Sequence, residues 1–251
     1  NEVERIEETI LSILNQTYKN FELIVVDGGS TDGTKLILGK YRNKIKHCVS
    51  EPDSGIYNAM NKGLKLCCGE YVNFMNGGDA YYSKHVLLNL VSNADDADII
   101  YGDVNYGQRS GGYKIFKHPS KLTLLFLALS TINHQSLFIK IPLINRIGGF
   151  KESYKICSDD ELFLNAMLRY RASIKYLPIT IATFNREGIS SANEYKKLIW
   201  REKRQIQKIY LPLHLRIISI VRYNLVKYKN YIFPGFIKKY LNSRYEKYLF
   251  K

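Results

Sequence analysis

Three short stretches carry the acidic side chains that could do chemistry in this chain. The first is Gly69–Asp79, in which a buried strand predicted over Tyr71–Met75 ends at a glycine-rich turn holding Asn76 and Asp79. Mg²⁺ and Mn²⁺ prefer carboxylate and carbonyl oxygens in proteins, and they often share phosphates with a substrate. Asp79 is therefore a candidate ligand for such an ion, and a cap on the following helix is the alternative interpretation.

The second stretch places Asp159, Asp160 and Glu161 at the predicted start of a late helix. Carboxylates are stabilised at a helix N-terminus by the helix dipole, which would explain all three without any chemistry. The same position could also present one of the acids to a cleft. Both interpretations fit the sequence.

The third stretch begins where the apolar run Phe21–Val26 ends at Asp27, followed by the small and polar residues Gly28–Thr34. An acid at the end of a strand can accept hydrogen bonds from a ribose or a base, and glycines let the backbone approach a ligand closely. A turn with an Asx or Thr cap is the simpler alternative.

Helical periodicity and continuous apolar runs alternate over the first 190 residues and must position these acids. Continuous apolar runs are typical of parallel strands that are covered on both faces. The sequence therefore predicts an α/β fold with a mostly parallel, doubly wound sheet and flanking helices. In such sheets ligands bind beyond the carboxyl ends of the strands, so we expect Asp27, Asp79 and Asp159 to meet at one cleft.

The net charge of +14 is concentrated at the C-terminal end of the 251-residue chain. From Lys196 onward there are fifteen Lys or Arg residues and only two acids, Glu202 and Glu246, whereas the first 195 residues are nearly neutral. This asymmetry predicts a body over residues 1–191 and a basic, amphipathic, helical tail over residues 192–251.

The tail interleaves its basic residues with Tyr, Ile, Leu and Phe, as in Leu215–Tyr223 and Phe236–Leu241. This composition is typical of helices that lie in an anionic membrane interface, and we expect that role rather than nucleic-acid binding. Helices that pack on the body or on a partner remain the alternative.

The four cysteines show no CxxC pair and no zinc-ligand spacing, which favours free thiols in a reducing cytoplasm. The longest apolar run, Leu122–Leu129, is too short to span a membrane. We therefore expect a cytoplasmic protein that is peripheral on the inner face of the cytoplasmic membrane.

Two motifs carry a resemblance to a known family. Gln16–Thr34 (QTYKNFELIVVDGGSTDGT) resembles the nucleotide-sugar-binding half of family 2 inverting glycosyltransferases, which have the GT-A fold. Glu51–Gly63 (EPDSGIYNAMNKG) is similar to members that build bacterial capsule, exopolysaccharide or O-antigen chains. The resemblance covers roughly residues 1–190. It implies transfer of a sugar from a nucleotide-diphosphate donor, expected to be a UDP-sugar, to a glycan or lipid-linked acceptor.

The resemblance also implies roles for individual residues on the donor side. Asp27 would contact the uracil or ribose, Asp53 would lie near the base, and Asn61 and Lys62 would lie near the nucleotide cleft. The family's metal-binding DxD-type motif falls on Asn76–Asp79, where Asn76 would line the donor site and Asp79 would hold Mg²⁺ or Mn²⁺. Because only Asp79 keeps the acid, the motif departs from the family pattern.

On the acceptor side, Asp159 matches the family's general base. His134, Gln135 and Asp160 would line the donor-sugar or acceptor pocket, and Arg186 lies in a loop expected near the diphosphate. Asp160 and Glu161, the neighbours of Asp159, are weaker candidates for the base. Family members also begin with a strand that would precede Asn1, so the resemblance predicts an incomplete N-terminus, because a parallel sheet lacking a central strand leaves backbone groups unpaired.

Other functions fit the sequence less well. The chain has no Gly-Lys-Ser/Thr signature, which excludes a P-loop nucleotidase, and no Gly-x-Gly-Thr-Arg-like loop of a sugar-nucleotide pyrophosphorylase. A non-catalytic nucleotide-sugar-binding protein or membrane-associated scaffold remains the alternative, because the metal motif retains a single acid.

Overall fold

Helices and strands alternate over residues 6–72, as the apolar pattern predicts, and consecutive strands or helices occur after that point. The computed structural model describes residues 1–107, 112, 114–185 and 193–232. The helices are α1 (Ile6–Leu14), α2 (Thr34–Lys40), α3 (Ile56–Leu64), α4 (Val86–Ser92), α5 (Leu124–Leu129), α6 (Ile141–Ile147), α7 (Ser158–Leu168), α8 (Lys196–Tyr210) and α9 (Leu213–Ile232). The strands are β1 (Ile24–Asp27), β2 (His47–Ser50), β3 (Tyr71–Val72), β4 (Ala80–Tyr81), β5 (Ile99–Gly107), β6 (Lys114–Phe116), β7 (Leu137–Lys140) and β8 (Ile174–Asn185).

The strands form two sheets. β1 and β2 pair in parallel, with Asp27 opposite Ser50 at their carboxyl ends. The larger sheet has the order β3-β7-β5-β8-β4, and β6 pairs with β5 beside this path. A 3₁₀ turn, His134–Ser136, leads directly into β7.

Strand directions are more mixed than the mostly parallel sheet that the sequence predicts. The α/β class and the flanking helices are confirmed, but β3–β7, β4–β8, β5–β6 and β5–β7 are antiparallel. Parallel pairing is found in β1–β2 and β5–β8. The prediction failed because an apolar run reports that both faces of a strand are covered and carries no information on its direction.

The long parallel pair β5–β8 contains an irregular register around Gly102. A Cβ atom on Gly102 would lie 2.6 Å from the backbone oxygen of Ile179. Pro178 lies in the irregular part of β8, where its missing N–H removes no regular ladder bond. The glycine therefore allows two backbones to approach more closely than a side chain would permit.

Two clusters of apolar side chains support the sheets. One packs α4 against the larger sheet through Val86, Leu90, Ile100, Phe138 and Ile181, all of which are buried. The other packs α1 and α2 beside β1 through Ile10, Leu23, Leu38 and Ile45. Burial of each such side chain is worth about 1.5–3 kcal/mol relative to exposure.

The backbone divides into two units. Among the described residues, one unit lies within the ranges 1–121 and 132–202, and the other within the ranges 122–131 and 203–232. The start of α8, through Glu202, therefore belongs to the first unit. Among the helices of the described ranges, none combines the length and apolar character needed to cross a bilayer.

We predict that Gly102→Ala destabilises the protein by about 1–3 kcal/mol, because the added methyl group collides with the backbone of Ile179. The free energy of unfolding can be measured by urea denaturation. The control is Gly39→Ala, where a Cβ atom meets nothing within 4 Å and a helical alanine is neutral or favourable. Equal stability of Gly102→Ala and the wild-type protein would contradict the prediction.

Candidate active site

The turn His134–Ser136 is the element on which the candidate site is built. Its backbone is held by Asn73, whose amide nitrogen donates to the carbonyl oxygens of Leu137 at 2.7 Å and Gln135 at 3.1 Å. Asn73 follows the end of β3 directly. The turn is therefore fixed by a neighbouring strand, and it presents the side chains of two consecutive residues, His134 and Gln135.

His134 contacts Asp159, the second residue of α7. Nδ1 of His134 lies 3.0 Å from Oδ2 of Asp159, and its Nε2 lies 3.1 Å from the amide nitrogen of Asn76. A neutral imidazole satisfies both contacts when Nδ1–H donates to the carboxylate and Nε2 accepts from Asn76. Asn76, His134 and Asp159 thus form one hydrogen-bonded row.

Tyr57 of α3 holds the other oxygen of Asp159. Its hydroxyl donates to Oδ1 at 2.9 Å, and it lies 2.6 Å from the carbonyl oxygen of Ile156. Burial, and next the negative charge of Asp159, raise the pKa of Tyr57 well above its ordinary value, so the hydroxyl keeps its proton. Phe150 stacks on the Tyr57 ring with 5.4 Å between the ring centroids.

Asp159 is ionised in this setting. Burial alone would raise its pKa, but the hydrogen bonds from His134 and from the Tyr57 hydroxyl outweigh burial and lower the pKa from its ordinary value. The side chain is 17% exposed. Each carboxylate oxygen has two lone pairs, so a partly exposed Asp159 can still accept a proton from a bound molecule.

The neighbouring acids of α7 have different surroundings. The backbone N–H of Asp160 donates to Oδ1 of Asp159 at 3.0 Å, and its side chain is half-buried. The Glu161 side chain is fully buried and forms an ion pair with Lys151. Asp159 is therefore the acid of this turn that joins His134 and Tyr57.

Asp79 lies beside the next residue of the turn. Its Oδ2 accepts a hydrogen bond from Nε2 of Gln135 at 2.7 Å, and the residue is buried. The Thr9 hydroxyl of α1 donates to the Asp79 carbonyl oxygen at 2.7 Å and accepts from the Gly78 N–H at 2.9 Å. Consecutive residues of one turn thus contact Asp159 and Asp79.

The described residues contain no group of three or more His, Cys, Asp or Glu side chains that could hold a metal ion. Mg²⁺ is usually bound through one or two carboxylates together with substrate phosphates and water. A single carboxylate on a glycine-rich turn therefore fits an ion that is shared with a diphosphate. Asp79 would be the carboxylate ligand of that ion.

Asp27 occupies the carboxyl end of β1. Its carboxylate accepts from the Ser50 hydroxyl at 2.7 Å and from the Ser30 N–H at 3.1 Å. Burial would raise the pKa of Asp27, but the hydrogen bonds from Ser30 and Ser50 outweigh it and lower the pKa. The Asp27 carboxylate is therefore a preformed acceptor held between two loops.

Gly28 brings these two loops together. A Cβ atom at this position would lie 2.3 Å from Oδ2 of Asp53. Oδ1 of Asp53 accepts from the Gly55 N–H at 2.9 Å, at the start of α3. Asp53 therefore lies against the Asp27 loop, four residues before Tyr57, which contacts Asp159.

The remaining residues singled out from the sequence have other contacts. Both amide atoms of Asn61 bond the Phe150 backbone at 2.8 Å. Lys62 contacts the Pro52 carbonyl oxygen at 3.1 Å and Glu51 at 2.7 Å. Asn61 and Lys62 thus bind protein groups in this structure, and Arg186 lies outside the described residues.

Sequence reasoning did not identify Tyr57 or Asn73. Tyr57 shares the buried face of α3 with Met60 and Leu64, and its position inside the second family-like motif was the available signal. Asn73 falls within the strand predicted over Tyr71–Met75, which ends at Val72. A polar residue in an otherwise apolar run was the signal there.

Comparisons with known proteins agree with this architecture. The first 151 residues match the family model described as glycosyl transferase family 2. A PGL/p-HBAD biosynthesis glycosyltransferase of Mycobacterium bovis is 28% identical over 183 residues, which cover 70% of each chain.

Two solved structures have a similar fold. TarS 1-349 from S. aureus, in complex with UDP-GlcNAc, gives a TM-score of 0.65 at 20% identity over 97% of this chain and 77% of that one. The match to a longer TarS chain covers 41% of that chain. The mannosyltransferase PcManGT from Pyrobaculum calidifontis, in complex with GDP-Man and Mn²⁺, gives 0.53 at 20% identity over 79% of this chain and 56% of that one.

The likeness to TarS confirms the GT-A-like α/β fold with flanking helices that the sequence predicts. The family match covers more than half of the chain and includes Asp27, Asp79 and His134, whereas Asp159 lies beyond its last residue, 151. On these grounds the protein is a member of glycosyl transferase family 2.

Proposed function

We propose that this chain is an inverting glycosyltransferase that moves a hexosyl or N-acetylhexosaminyl group from a UDP-sugar to a glycan or lipid-linked acceptor. The observation that carries the proposal is the ionised, partly exposed Asp159, held by His134 at 3.0 Å and by Tyr57 at 2.9 Å. Asp159 is linked to Asp79 through two consecutive residues of one turn, since His134 contacts Asp159 and Gln135 contacts Asp79.

Inversion requires a single displacement at the anomeric carbon, in which a base takes the proton of the acceptor hydroxyl. Asp159 is the proposed base, and a positioned base contributes about 10²–10⁴-fold to the rate. His134 and Tyr57 keep the carboxylate ionised and oriented. Because they occupy only part of its lone pairs, the acceptor hydroxyl can still bind to it.

The proposed donor site lies on the Asp27 side. Asp27 and Asp53 would accept hydrogen bonds from the uracil and ribose, while Gly28 lets the backbone approach. Asp79 would hold Mg²⁺ or Mn²⁺, and Asn76 lies three residues before it on the same turn. When bound, such an ion stabilises the charge of the departing diphosphate as a Lewis acid. The UDP-GlcNAc bound by TarS and the GDP-Man and Mn²⁺ bound by PcManGT support this donor class.

The proposed acceptor pocket includes His134 and Asp160, which contact the base, and Gln135, which follows His134 in the turn. The family resemblance adds Arg186, which lies outside the described residues. The mycobacterial relative is named a PGL/p-HBAD biosynthesis glycosyltransferase, which supports a biosynthetic acceptor, and we propose that this acceptor belongs to surface polysaccharide synthesis. A lipid-linked acceptor would require access to a membrane surface. The exposed apolar face of α9 is suited to binding such a surface.

One face of α9 exposes apolar side chains in a four-residue repeat: Leu213, Ile217, Val221 and Leu225 are 62%, 50%, 52% and 41% exposed. The segment from Lys196 to the end of the sequence, which includes α9, contains fifteen basic residues. An apolar helical face combined with positive charge suits an anionic bilayer interface, and each basic residue near such a surface contributes about 1 kcal/mol. We therefore propose peripheral docking on the inner face of the cytoplasmic membrane.

We predict that Asp159→Asn lowers sugar transfer by about 10²–10⁴-fold, because the amide keeps the shape of the side chain and cannot take a proton. The measurement is UDP release from a panel of UDP-hexoses and UDP-N-acetylhexosamines with Mn²⁺, together with UDP affinity by calorimetry, which should stay unchanged. The control is Asp95→Asn, a 75%-exposed acid with positive φ that asparagine tolerates.

Two outcomes would contradict the assignment. Full activity of Asp159→Asn would show that Asp159 is not the base. UDP-sugar binding by the wild-type chain without transfer or hydrolysis would favour the non-catalytic nucleotide-sugar-binding alternative.

We predict that Gly28→Ala raises the Kd for UDP about tenfold or more, because the new methyl group displaces the Asp53 carboxylate from the Asp27 loop. Gly39→Ala, which adds a methyl group in open space, should bind UDP as the wild-type protein does. Calorimetric titration of both variants with UDP tests the placement of the donor site. An unchanged Kd for UDP in Gly28→Ala would contradict the placement of the donor at this loop.

We predict that replacing Leu213 and Leu225 by serine lowers the partition constant on phosphatidylglycerol vesicles at least about tenfold, since each leucine contributes apolar area to the interface. Co-sedimentation of the full chain measures it. The matched control replaces Leu36 and Leu88, leucines of α2 and α4 that are 79% and 42% exposed. Binding that is equal in both double variants, or equal on neutral phosphatidylcholine, would argue against docking through α9.

A further inference from the structure

Glu202 is a buried acid in the segment that the sequence marks as basic. It is 4% exposed and lies in the part of α8 that belongs to the same unit as the candidate site. One carboxylate oxygen accepts from the Lys155 N–H at 2.8 Å, and the other accepts from the Ile156 and Cys157 N–H groups, both at 3.0 Å. A single side chain therefore binds three consecutive backbone N–H groups.

This arrangement restricts the backbone conformation of residues 155–157. A buried carboxylate is costly unless it is hydrogen-bonded, and hydrogen bonds to an ionised acceptor are about twice as strong as neutral ones. Three successive N–H groups reach one carboxylate only if the backbone curves around it. Glu202 therefore specifies the path of residues 155–157, and the contact of the Cys157 thiol with the Ile199 carbonyl oxygen at 3.8 Å adds a second link to α8.

The loop that Glu202 holds leads directly to the proposed base. Cys157 precedes the first residue of α7, and Asp159 is the second residue of that helix. The Tyr57 hydroxyl, which donates to Oδ1 of Asp159 at 2.9 Å, also lies 2.6 Å from the Ile156 carbonyl oxygen. Two routes thus connect Glu202 to Asp159: the backbone from Cys157, and the contact of Ile156 with Tyr57.

We infer that Glu202 is a positioning residue for Asp159, because it fixes the loop that orients both α7 and the hydroxyl group of Tyr57. This inference rests on the proposed role of Asp159 as the base. Glu202 itself touches neither a reacting atom nor the carboxylate of Asp159 in this structure. Its effect reaches the site through the backbone of residues 155–157.

The test is Glu202→Gln in the full chain. Glutamine keeps the length of the side chain, but it has one acceptor oxygen and an NH₂ group that would face a backbone N–H, so part of the three-bond arrangement is lost. The expected result is a fall in kcat of about 10–100-fold, since small misplacements of a catalytic group carry costs of that order. The KM for the UDP-sugar should change by less than about twofold. The matched control is Glu194→Gln, which neutralises an exposed acid just before α8.

A pH profile separates positioning from simple loss of folded protein. The Tyr57 hydroxyl and His134 lower the pKa of Asp159 by bonding its ionised form, and the Asp160 N–H bonds the same carboxylate. If the Tyr57 contact loosens, the pKa of Asp159 rises, and the acid limb of the kcat profile moves to higher pH. A smaller fraction of folded enzyme would lower the whole profile without moving the limb, and it would lower the UDP-binding stoichiometry in proportion.

Two further measurements complete the test. In a double-mutant cycle with Tyr57→Phe, the two effects on kcat should be less than multiplicative, because both variants act through the same contact. Hydrogen exchange of a peptide spanning residues 152–160 should be faster in Glu202→Gln, and this readout does not depend on activity.

Wild-type kcat, an unmoved acid limb and unchanged exchange in Glu202→Gln would overturn the inference. A proportional fall in kcat and UDP stoichiometry with an unmoved limb would overturn it as well. Failure of the proposed function is a different result: Asp159→Asn would transfer sugar at the wild-type rate while Glu202→Gln still exchanged faster at residues 152–160.

Discussion

The structure of the candidate site depends on one ionised carboxylate held between two hydrogen-bond donors that come from distant parts of the chain. Asp159 is bonded by His134, 25 residues before it, and by Tyr57, 102 residues before it. A partly buried charge of this kind is stable only if its partners are in place. His134 lies on the turn before β7, and Tyr57 lies on α3. Both elements must therefore be held in place relative to α7.

Several backbone contacts meet that requirement. Asn73 holds the turn through its amide, and Asn61 ties α3 to Phe150, where a Cβ atom on Gly149 would lie 2.6 Å from the Asn61 oxygen. Gly149 has a φ of +75°, a conformation that glycine adopts without steric cost. Polar side chains that bond backbone groups thus set the distances among the elements, while the apolar clusters supply the bulk of the stabilisation.

The sequence predicted the alternation of helices and strands from α1 to β3 and the acid at the end of β1, because apolar periodicity and glycine-rich turns are local signals. It missed β4, which begins directly after Asp79. It identified His134 and Gln135 as candidates for the site. It could not predict that His134 would contact Asp159 and that Gln135 would contact Asp79. Tyr57 was missed because its hydroxyl acts 102 residues away, and periodicity reports only that its ring is buried. Glu202 was counted as a minor charge of the basic segment, because its role depends on a loop 45 residues earlier in the chain. The directions of the strands could not be predicted for a related reason, because strand pairing depends on two segments that are distant in the sequence.

Three carboxylates near the start of α7 illustrate why residue type alone cannot assign chemistry. Glu161 is fully buried and paired with Lys151, and Glu202 is 4% exposed and bonded by three backbone N–H groups. Asp159 keeps 17% of its side chain exposed. A carboxylate enclosed by protein donors is out of reach of a substrate hydroxyl, whatever its intrinsic basicity. Of these three, Asp159 combines an ionised state with access from solvent, and that combination, rather than the acidic cluster itself, is what a base in this position requires.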